Sequence, residues 1–161
     1  GTPILCVNKN ICRLNCYNHG CQNVVFYADN VDSVDIRCHD DAACDNMKIY
    51  VNLSDSQYQF NMDCIGASSC NAVRGIIKAD NNQASVYDSN INCTSNDACY
   101  DSFIDFIGVN QVNIICNGHR ACKWAKISSL SWDINHKYNN LNVNCHDGEQ
   151  VCEQLLVNGL G

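Results

Sequence analysis

Paired cysteines form the most regular chemical pattern in this 161-residue chain. Fourteen cysteines make seven pairs, with four to six residues between the two members of each pair. Two nearby thiols can be oxidised to a disulfide or can bind zinc as thiolates. The pairs are Cys6 and Cys12, Cys16 and Cys21, Cys38 and Cys44, Cys64 and Cys70, Cys93 and Cys99, Cys116 and Cys122, and Cys145 and Cys152.

Oxidation is the favoured chemistry of these thiols. An even number of cysteines at this density is typical of a disulfide framework made in an oxidising compartment. Most pairs have five intervening residues, which exceeds the two to four of common zinc sites. We therefore expect all fourteen cysteines to be structural cross-links, with no metal and no cofactor bound.

Two sequence motifs mark sites for N-glycosylation. Asn52 begins the sequon Asn52-Leu53-Ser54, and Asn92 begins Asn92-Cys93-Thr94. Sequons are modified only in chains that enter a secretory pathway. Asn52 is the stronger candidate, since it precedes a segment of variable length, whereas Asn92 is beside a cysteine.

Histidines and carboxylates near the cysteines are candidates for catalysis or metal binding. Their offsets from the cysteines differ between repeats, so exposed turn residues are the favoured interpretation and no catalytic residue is predicted. Two alternatives remain open: a carboxylate pair of the kind that hydrolyses glycosides, and a calcium site of oxygen ligands. The histidines are His19, His39, His119 and His146; the carboxylates are Asp88, Asp101, Asp105 and Asp133 for hydrolysis, and Asp40, Asp97 and Asp147 for calcium.

The elements that position the cysteines repeat with them. First cysteines of successive pairs from Cys16 onward lie 22 to 29 residues apart. The residue two before each is aliphatic, and apolar residues alternate again three and five positions after each second cysteine, which predicts strands with one buried face. The aliphatic set is Leu14, Ile36, Met62, Ile91, Ile114 and Val143.

Such a unit of strand, cysteine corner and strand cannot bury its apolar side chains alone. Stacking equivalent strands in parallel produces a continuous core, so the sequence predicts an all-β right-handed parallel β-helix of about six coils. Segments of variable length between units predict outward loops, the longer of which could include a third short strand. Pairing of cysteines within each unit is the favoured hypothesis, although cysteines of adjacent coils could also join.

The repeats "CHDDAACDNMKIYV", "CTSNDACYDSFIDFIG" and "CNGHRACKWAKI" resemble the cysteine-rich parallel β-helix repeats of large extracellular proteins of algae and other protists. Members of this group include components of surface hairs and fibres. The resemblance covers most of the chain from Cys16 onward and implies a structural or adhesive role, with no catalytic residues to carry over.

Charge and composition restrict the partners. A formal net charge of −7 argues against nucleic acid, and no apolar stretch is long enough to span a membrane. We expect a secreted protein with an irregular N-terminal cap over residues 1–15 and one solenoid domain over 16–161.

The expected function is that of a non-catalytic fibre or surface-appendage subunit. An uncapped solenoid end invites another chain, and two hypotheses account for it: either the sequence is cut from a longer protein, or subunits stack head to tail on copies of themselves, which is the favoured hypothesis. Glycans are possible partners, and a β-helix protein that binds or cleaves polysaccharides is the alternative.

Overall fold

Short strands separated by cysteine corners make up the whole described fold. The computed structural model describes residues 3–54, 59–79, 88–109, 111–130, 140–146 and 148–159. Within these ranges the strands are β1 (Ile4–Cys16), β2 (Val25–Cys38), β3 (Lys48–Leu53), β4 (Gln59–Cys64), β5 (Arg74–Ala79), β6 (Asp88–Cys93), β7 (Phe103–Ile107), β8 (Gln111–Asn117), β9 (Lys126–Leu130), β10 (Asn140–His146) and β11 (Leu156–Gly159).

The strands form two parallel ladders that share β1 and β2. Ladder A contains the first halves of β1 and β2, then β3, β5, β7, β9 and β11. Ladder B contains their second halves, then β4, β6, β8 and β10, and its strands run into the cysteine corners. The chain alternates between the ladders, so the predicted parallel β-solenoid is confirmed, with five full turns separating the Cys16 corner from the Cys145 corner.

Inward-facing side chains stack in the columns that the spacing predicts. The aliphatic residues two before each first cysteine are register partners along ladder B, as in Ile36 with Met62 and Met62 with Ile91. In ladder A, Phe26, Ile49 and Ile104 belong to one column five residues past the second cysteines, and each is at most 2% exposed. These columns are the single apolar core that the alternating pattern predicts.

Each corner is a series of turns that also hydrogen-bonds to the next coil. In the corner after Cys38, alternate N–H groups bond within the coil, from Ala43 to the Asp40 carbonyl and from Asp45 to that of Ala42. The N–H groups between them donate to the following coil, as from Cys44 to Ser69 at 2.7 Å. The corner is therefore a third side of the coil, with its backbone groups satisfied in the same way as those of a ladder.

A left-handed backbone conformation recurs at fixed corner positions. In each of the six corners φ is positive two residues after the second cysteine, which helps to explain the wealth of Asn and Asp, the residues that best tolerate this conformation. The residues at this position are Asn23, Asn46, Ala72, Asp101, Trp124 and Gln154.

The described part of the N-terminal segment is a rung of both ladders. Residues 1–15 are expected to form an irregular cap, but Ile4–Cys16 is β1, which pairs with β2 from Ile4↔Phe26 to Cys16↔Cys38. A capping role for this rung stays a prediction.

The longer variable loops lie outside the described residues, and with them the predicted third strand. No helix among the described residues is long and apolar enough to cross a membrane.

Candidate functional site

The cysteine corners hold most disulfides of the protein. All fourteen cysteines are bonded, and each bond joins the two members of one sequence pair rather than two coils. The bonds join Cys6 to Cys12, Cys16 to Cys21, Cys38 to Cys44, Cys64 to Cys70, Cys93 to Cys99, Cys116 to Cys122, and Cys145 to Cys152. The alternative in which cysteines of adjacent coils join is therefore wrong.

Geometry explains why pairing stays within a coil. In the six corners the Cα atoms of bonded cysteines are 5.6 to 6.2 Å apart, a separation that a disulfide spans readily. The second cysteines Cys70 and Cys122 are almost fully buried, whereas Cys152, in the last corner, is partly exposed. The first pair differs in position, because Cys6 lies in the ladder A half of β1 and Cys12 in its ladder B half, so their bond joins the two ladders where β1 passes from one to the other.

Sulfur atoms of neighbouring corners come close together because the cysteines stack in register. Those of Cys16, Cys21 and Cys44 lie within 4.8 Å of one another. Each of the three belongs to a disulfide, so none offers the thiolate that zinc requires.

Corner carboxylates link one coil to the next. Asp40 Oδ2 accepts a hydrogen bond from the backbone N–H of Asn18 at 3.2 Å, and Asp97 Oδ2 pairs with Arg120 at 2.7 Å. Asp147, the third predicted calcium ligand, lies outside the described residues. Calcium binding by these residues stays a hypothesis.

Histidines occupy the corners at different places. His39 stacks on Tyr17 of the preceding coil, with ring centroids 4.7 Å apart. His19, His119 and His146 are exposed.

The carboxylates considered for hydrolysis belong to different elements. Asp101 pairs with Arg74 at 3.3 Å in a corner, and Asp105 accepts a hydrogen bond from the Ser128 hydroxyl on the outer face of ladder A. Asp88 begins β6 in ladder B. Asp133 is not among the described residues, so its relation to the others is not defined.

Asparagine side chains form a hydrogen-bonded ladder that the sequence pattern did not predict. On the outer face of ladder B, Asn90 donates to Asn61 at 2.9 Å, Asn113 donates to Asn90, and Asn142 donates to Asn113, both at 3.1 Å. Each amide has both a donor and an acceptor, so the chain of bonds can continue from coil to coil. The signal was present in the recurrence of asparagine three positions before the first cysteine.

An aromatic and basic cluster lies on the corner side near the C-terminal coils. Trp124 is 44% exposed and its ring centroid is 5.3 Å from that of Tyr100. Lys123 lies over the Trp124 ring at 5.5 Å and its Nζ pairs with Glu153 at 2.9 Å. We call Tyr100, Lys123 and Trp124 the tryptophan cluster. Trp124 also has a positive φ of 60°, an uncommon conformation for so bulky a residue.

A groove of about 560 Å³ follows the outer face of ladder A. Tyr27 and Tyr50, which are register partners, stack in its wall with centroids 5.0 Å apart, and Ile76 continues their column. A parallel row of Asp29, Asn52 and Lys78 forms the polar side. We call this the tyrosine groove; it combines an apolar wall with a hydrogen-bonding edge.

The two sequon asparagines occupy similar places on different ladders. Asn52 Nδ2 donates to Asp29 Oδ1 at 3.0 Å in the preceding coil, and Asn92 Nδ2 donates to Asp63 Oδ1 at 2.6 Å. Both side chains are partly exposed on outer faces. Only Asn52 borders the tyrosine groove.

The outermost rungs leave interior side chains partly uncovered. Val157 in β11 is 40% exposed, although Ile127, its register partner in the same inward column, is 3% exposed. In β1, Ile4 and Leu14 are only partly buried, whereas Phe26 and Ile36 beside them are at most 2% exposed. Apolar surface is therefore present at both ends of the described core.

The chain was compared with protein-family models, with curated proteins and with solved structures, and none of them matched it.

Proposed function

We propose that this protein is a structural module of an extracellular assembly, in which copies stack end to end and continue the parallel ladders. It acts without catalysis in this proposal. The observation that carries it is the exposure of interior residues on the outermost rungs, Val157 above all.

The disulfides within the coils support an extracellular location. Seven disulfides confine short loops within the coils, and such bonds persist in oxidising surroundings. Because its coils are cross-linked internally, such a solenoid keeps its shape without a large apolar core. This property suits a unit of a rod or fibre.

End-to-end stacking would satisfy two needs of the outermost rungs. β1 pairs only with β2, and β11 only with β9, among the described strands. A strand with a free edge presents unpaired N–H and C=O groups that can accept another strand. A copy placed there would both pair this backbone and bury side chains such as Ile4 and Val157.

Electron microscopy and light scattering of the purified protein over a range of concentrations test the assembly. Val157→Lys places a charge in the inward column of β11, so we expect it to prevent stacking while the exposed position keeps the monomer folded. Asn158→Lys is the matched control on the neighbouring, outward position, and should assemble as the wild type does. Dispersed wild-type monomers at high concentration would overturn the proposal.

Binding of a polysaccharide is a second candidate function, favoured by the tryptophan cluster. An exposed aromatic ring beside hydrogen-bonding side chains suits the flat apolar faces and hydroxyl groups of sugars. Trp124 is 44% exposed, so part of its ring is open to a sugar.

Trp124→Asn provides a clean test of sugar binding. Asparagine already occupies the same corner position in Asn23 and Asn46, so the variant should fold. Retention of the wild type but not of the variant on a glycan array would support the candidate. Equal retention of both, or of neither, would exclude this cluster as the site.

A further inference from the structure

We propose that Asn52 carries an N-linked glycan whose first sugar lies in the tyrosine groove, against Tyr50 and Ile76, instead of extending freely into solvent. The inference rests on the proposed extracellular function, since the modification requires a secretory pathway. The proposed occupant of the groove is therefore a sugar attached to Asn52, which itself lines the groove.

The position of Asn52 on its strand places the attachment point of the sugar in the lining of the groove. Tyr50 and Asn52 are two residues apart in β3, so both side chains leave the same outer face of ladder A. Ile76 is the register partner of Tyr50 and Lys78 that of Asn52 in the next coil. A sugar on Asn52 Nδ2 therefore starts beside the apolar column and within its reach.

The shape of the wall leaves a ring face for that sugar. One face of Tyr50 is covered by Tyr27, whose ring is nearly parallel, with an interplanar angle of 15°. The other face is on the side of Ile76, which is shorter than a tyrosine, so the outer part of the Tyr50 ring extends beyond it. Tyr50 is 38% exposed, and a sugar ring or an acetamide methyl group can pack there.

The modification is compatible with the hydrogen bond that Asn52 already makes. In the transfer, Nδ2 attacks the anomeric carbon of a sugar held on a lipid pyrophosphate. A C–N bond forms, the C–O bond to the pyrophosphate breaks, and Nδ2 loses one proton. The nitrogen keeps its second hydrogen, which can still donate to Asp29 Oδ1.

The polar edge of the groove suits the rest of the sugar. Asp29 provides acceptor oxygens and Lys78 provides an ammonium donor on either side of Asn52. The volume of about 560 Å³ falls within the range of about 300 to 1,000 Å³ that is usual for small-ligand sites.

Expression in a secreting eukaryotic cell, followed by glycopeptide mapping, tests the occupancy of Asn52. Ser54→Ala removes the sequon without changing Asn52 and should abolish the glycan there. Asn10→Thr creates a new sequon that begins at Asn8, in the exposed middle of β1, and serves as the positive control for passage through the pathway.

The position of the sugar is tested on the glycosylated protein. We expect nuclear Overhauser contacts between the first sugar and the Tyr50 ring, and release of the glycan from the native protein by a peptide N-glycosidase about tenfold slower than from Tyr50→Ala. Tyr50→Phe keeps the ring and should behave as the wild type. Tyr17→Ala removes a distant exposed tyrosine and should leave the release rate unchanged.

The outcomes separate this inference from the proposed function. A glycan at Asn8 of the Asn10→Thr variant with none at Asn52 would overturn the inference alone. A glycan at Asn52 without contacts to Tyr50, and with equal release from Tyr50→Ala, would also overturn it alone. If neither Asn8 nor Asn52 carries a glycan and the cysteines are reduced, the extracellular function is contradicted as well.

Discussion

Phe60 and Phe106 meet edge to face across the interior of the solenoid, with ring centroids 6.0 Å apart. They belong to opposite ladders, Phe60 to β4 and Phe106 to β7, and β5 and β6 lie between these strands along the chain. Ser89, on β6, is the register partner of Phe60. Ser89 is 2% exposed, and we infer that its small side chain leaves room in the interior, beside Phe60, for the ring of Phe106.

Phe106→Ala should remove the centre of this arrangement. The side chain is fully buried, so we expect a loss of about 3 to 5 kcal/mol in the free energy of unfolding, measured by urea denaturation. Phe103→Ala is the control from the same strand: Phe103 is 38% exposed, and its loss should cost well under half as much. Similar costs for both would contradict the proposed role of the pair.

Ser89→Leu should overfill the same region. The side chain is 2% exposed beside Phe60, so an added leucine must displace its neighbours, at a cost of about 1 to 3 kcal/mol in urea denaturation. The cost should be smaller when Ser89→Leu is made in Phe60→Ala, because the vacated volume can accept the leucine. Strictly additive costs would show that the two residues do not share this space.

Removal of one corner disulfide should weaken the fold without abolishing it. Replacing Cys93 and Cys99 by alanine releases a loop with a sequence separation of 6, and the loop-entropy model gives about 2 kcal/mol for such a bond. Replacing Cys6 and Cys12 releases a loop of the same length. We expect the first of these double variants to lose more stability, since Cys93 is fully buried while Cys6 is only partly so. Equal midpoints in urea would indicate that loop entropy alone matters.

Asn90→Ala should interrupt the asparagine ladder on ladder B. Asn90 donates to Asn61 and accepts from Asn113, so the variant loses two hydrogen bonds, each worth about 0.5 to 1.5 kcal/mol before exposure reduces it. Asn144→Ala is the control: Asn144 is exposed on the same face, and its replacement should be nearly neutral. If Asn90→Ala leaves the midpoint of thermal unfolding unchanged, water replaces the hydrogen bonds of the asparagine ladder without loss of stability.

The inward columns were predictable because the first cysteine of each pair marks the same position in every repeat. Counting back two residues from Cys38 and Cys64 gives Ile36 and Met62, which are register partners in ladder B. Side chains alternate with a period of two along a strand, so a fixed starting point assigns every inward position. Exceptions such as Ser89 depend on packing across the interior, which the pattern along a single strand does not contain.

The outer faces were less predictable, because contacts there depend on register between coils whose loops differ in length. Tyr27 and Tyr50 stack because the residues between them include one corner and no long loop. Nothing in the alternating pattern distinguishes their outward positions from that of Lys48. The bond between Cys6 and Cys12, which joins the two ladders within β1 and does not lie at a cysteine corner, was not predictable either, because the same spacing of cysteines serves both arrangements.

The confinement of every disulfide within its own coil has a mechanical consequence. A tensile load along the rod is resisted between coils by non-covalent contacts, namely hydrogen bonds, ion pairs and apolar packing, because no covalent link joins one coil to the next except the chain itself. When a coil is peeled away, the loop from Cys38 to Cys44 cannot straighten, which shortens the released length by roughly 15 Å. Such a rod yields in short steps and limits its own extension.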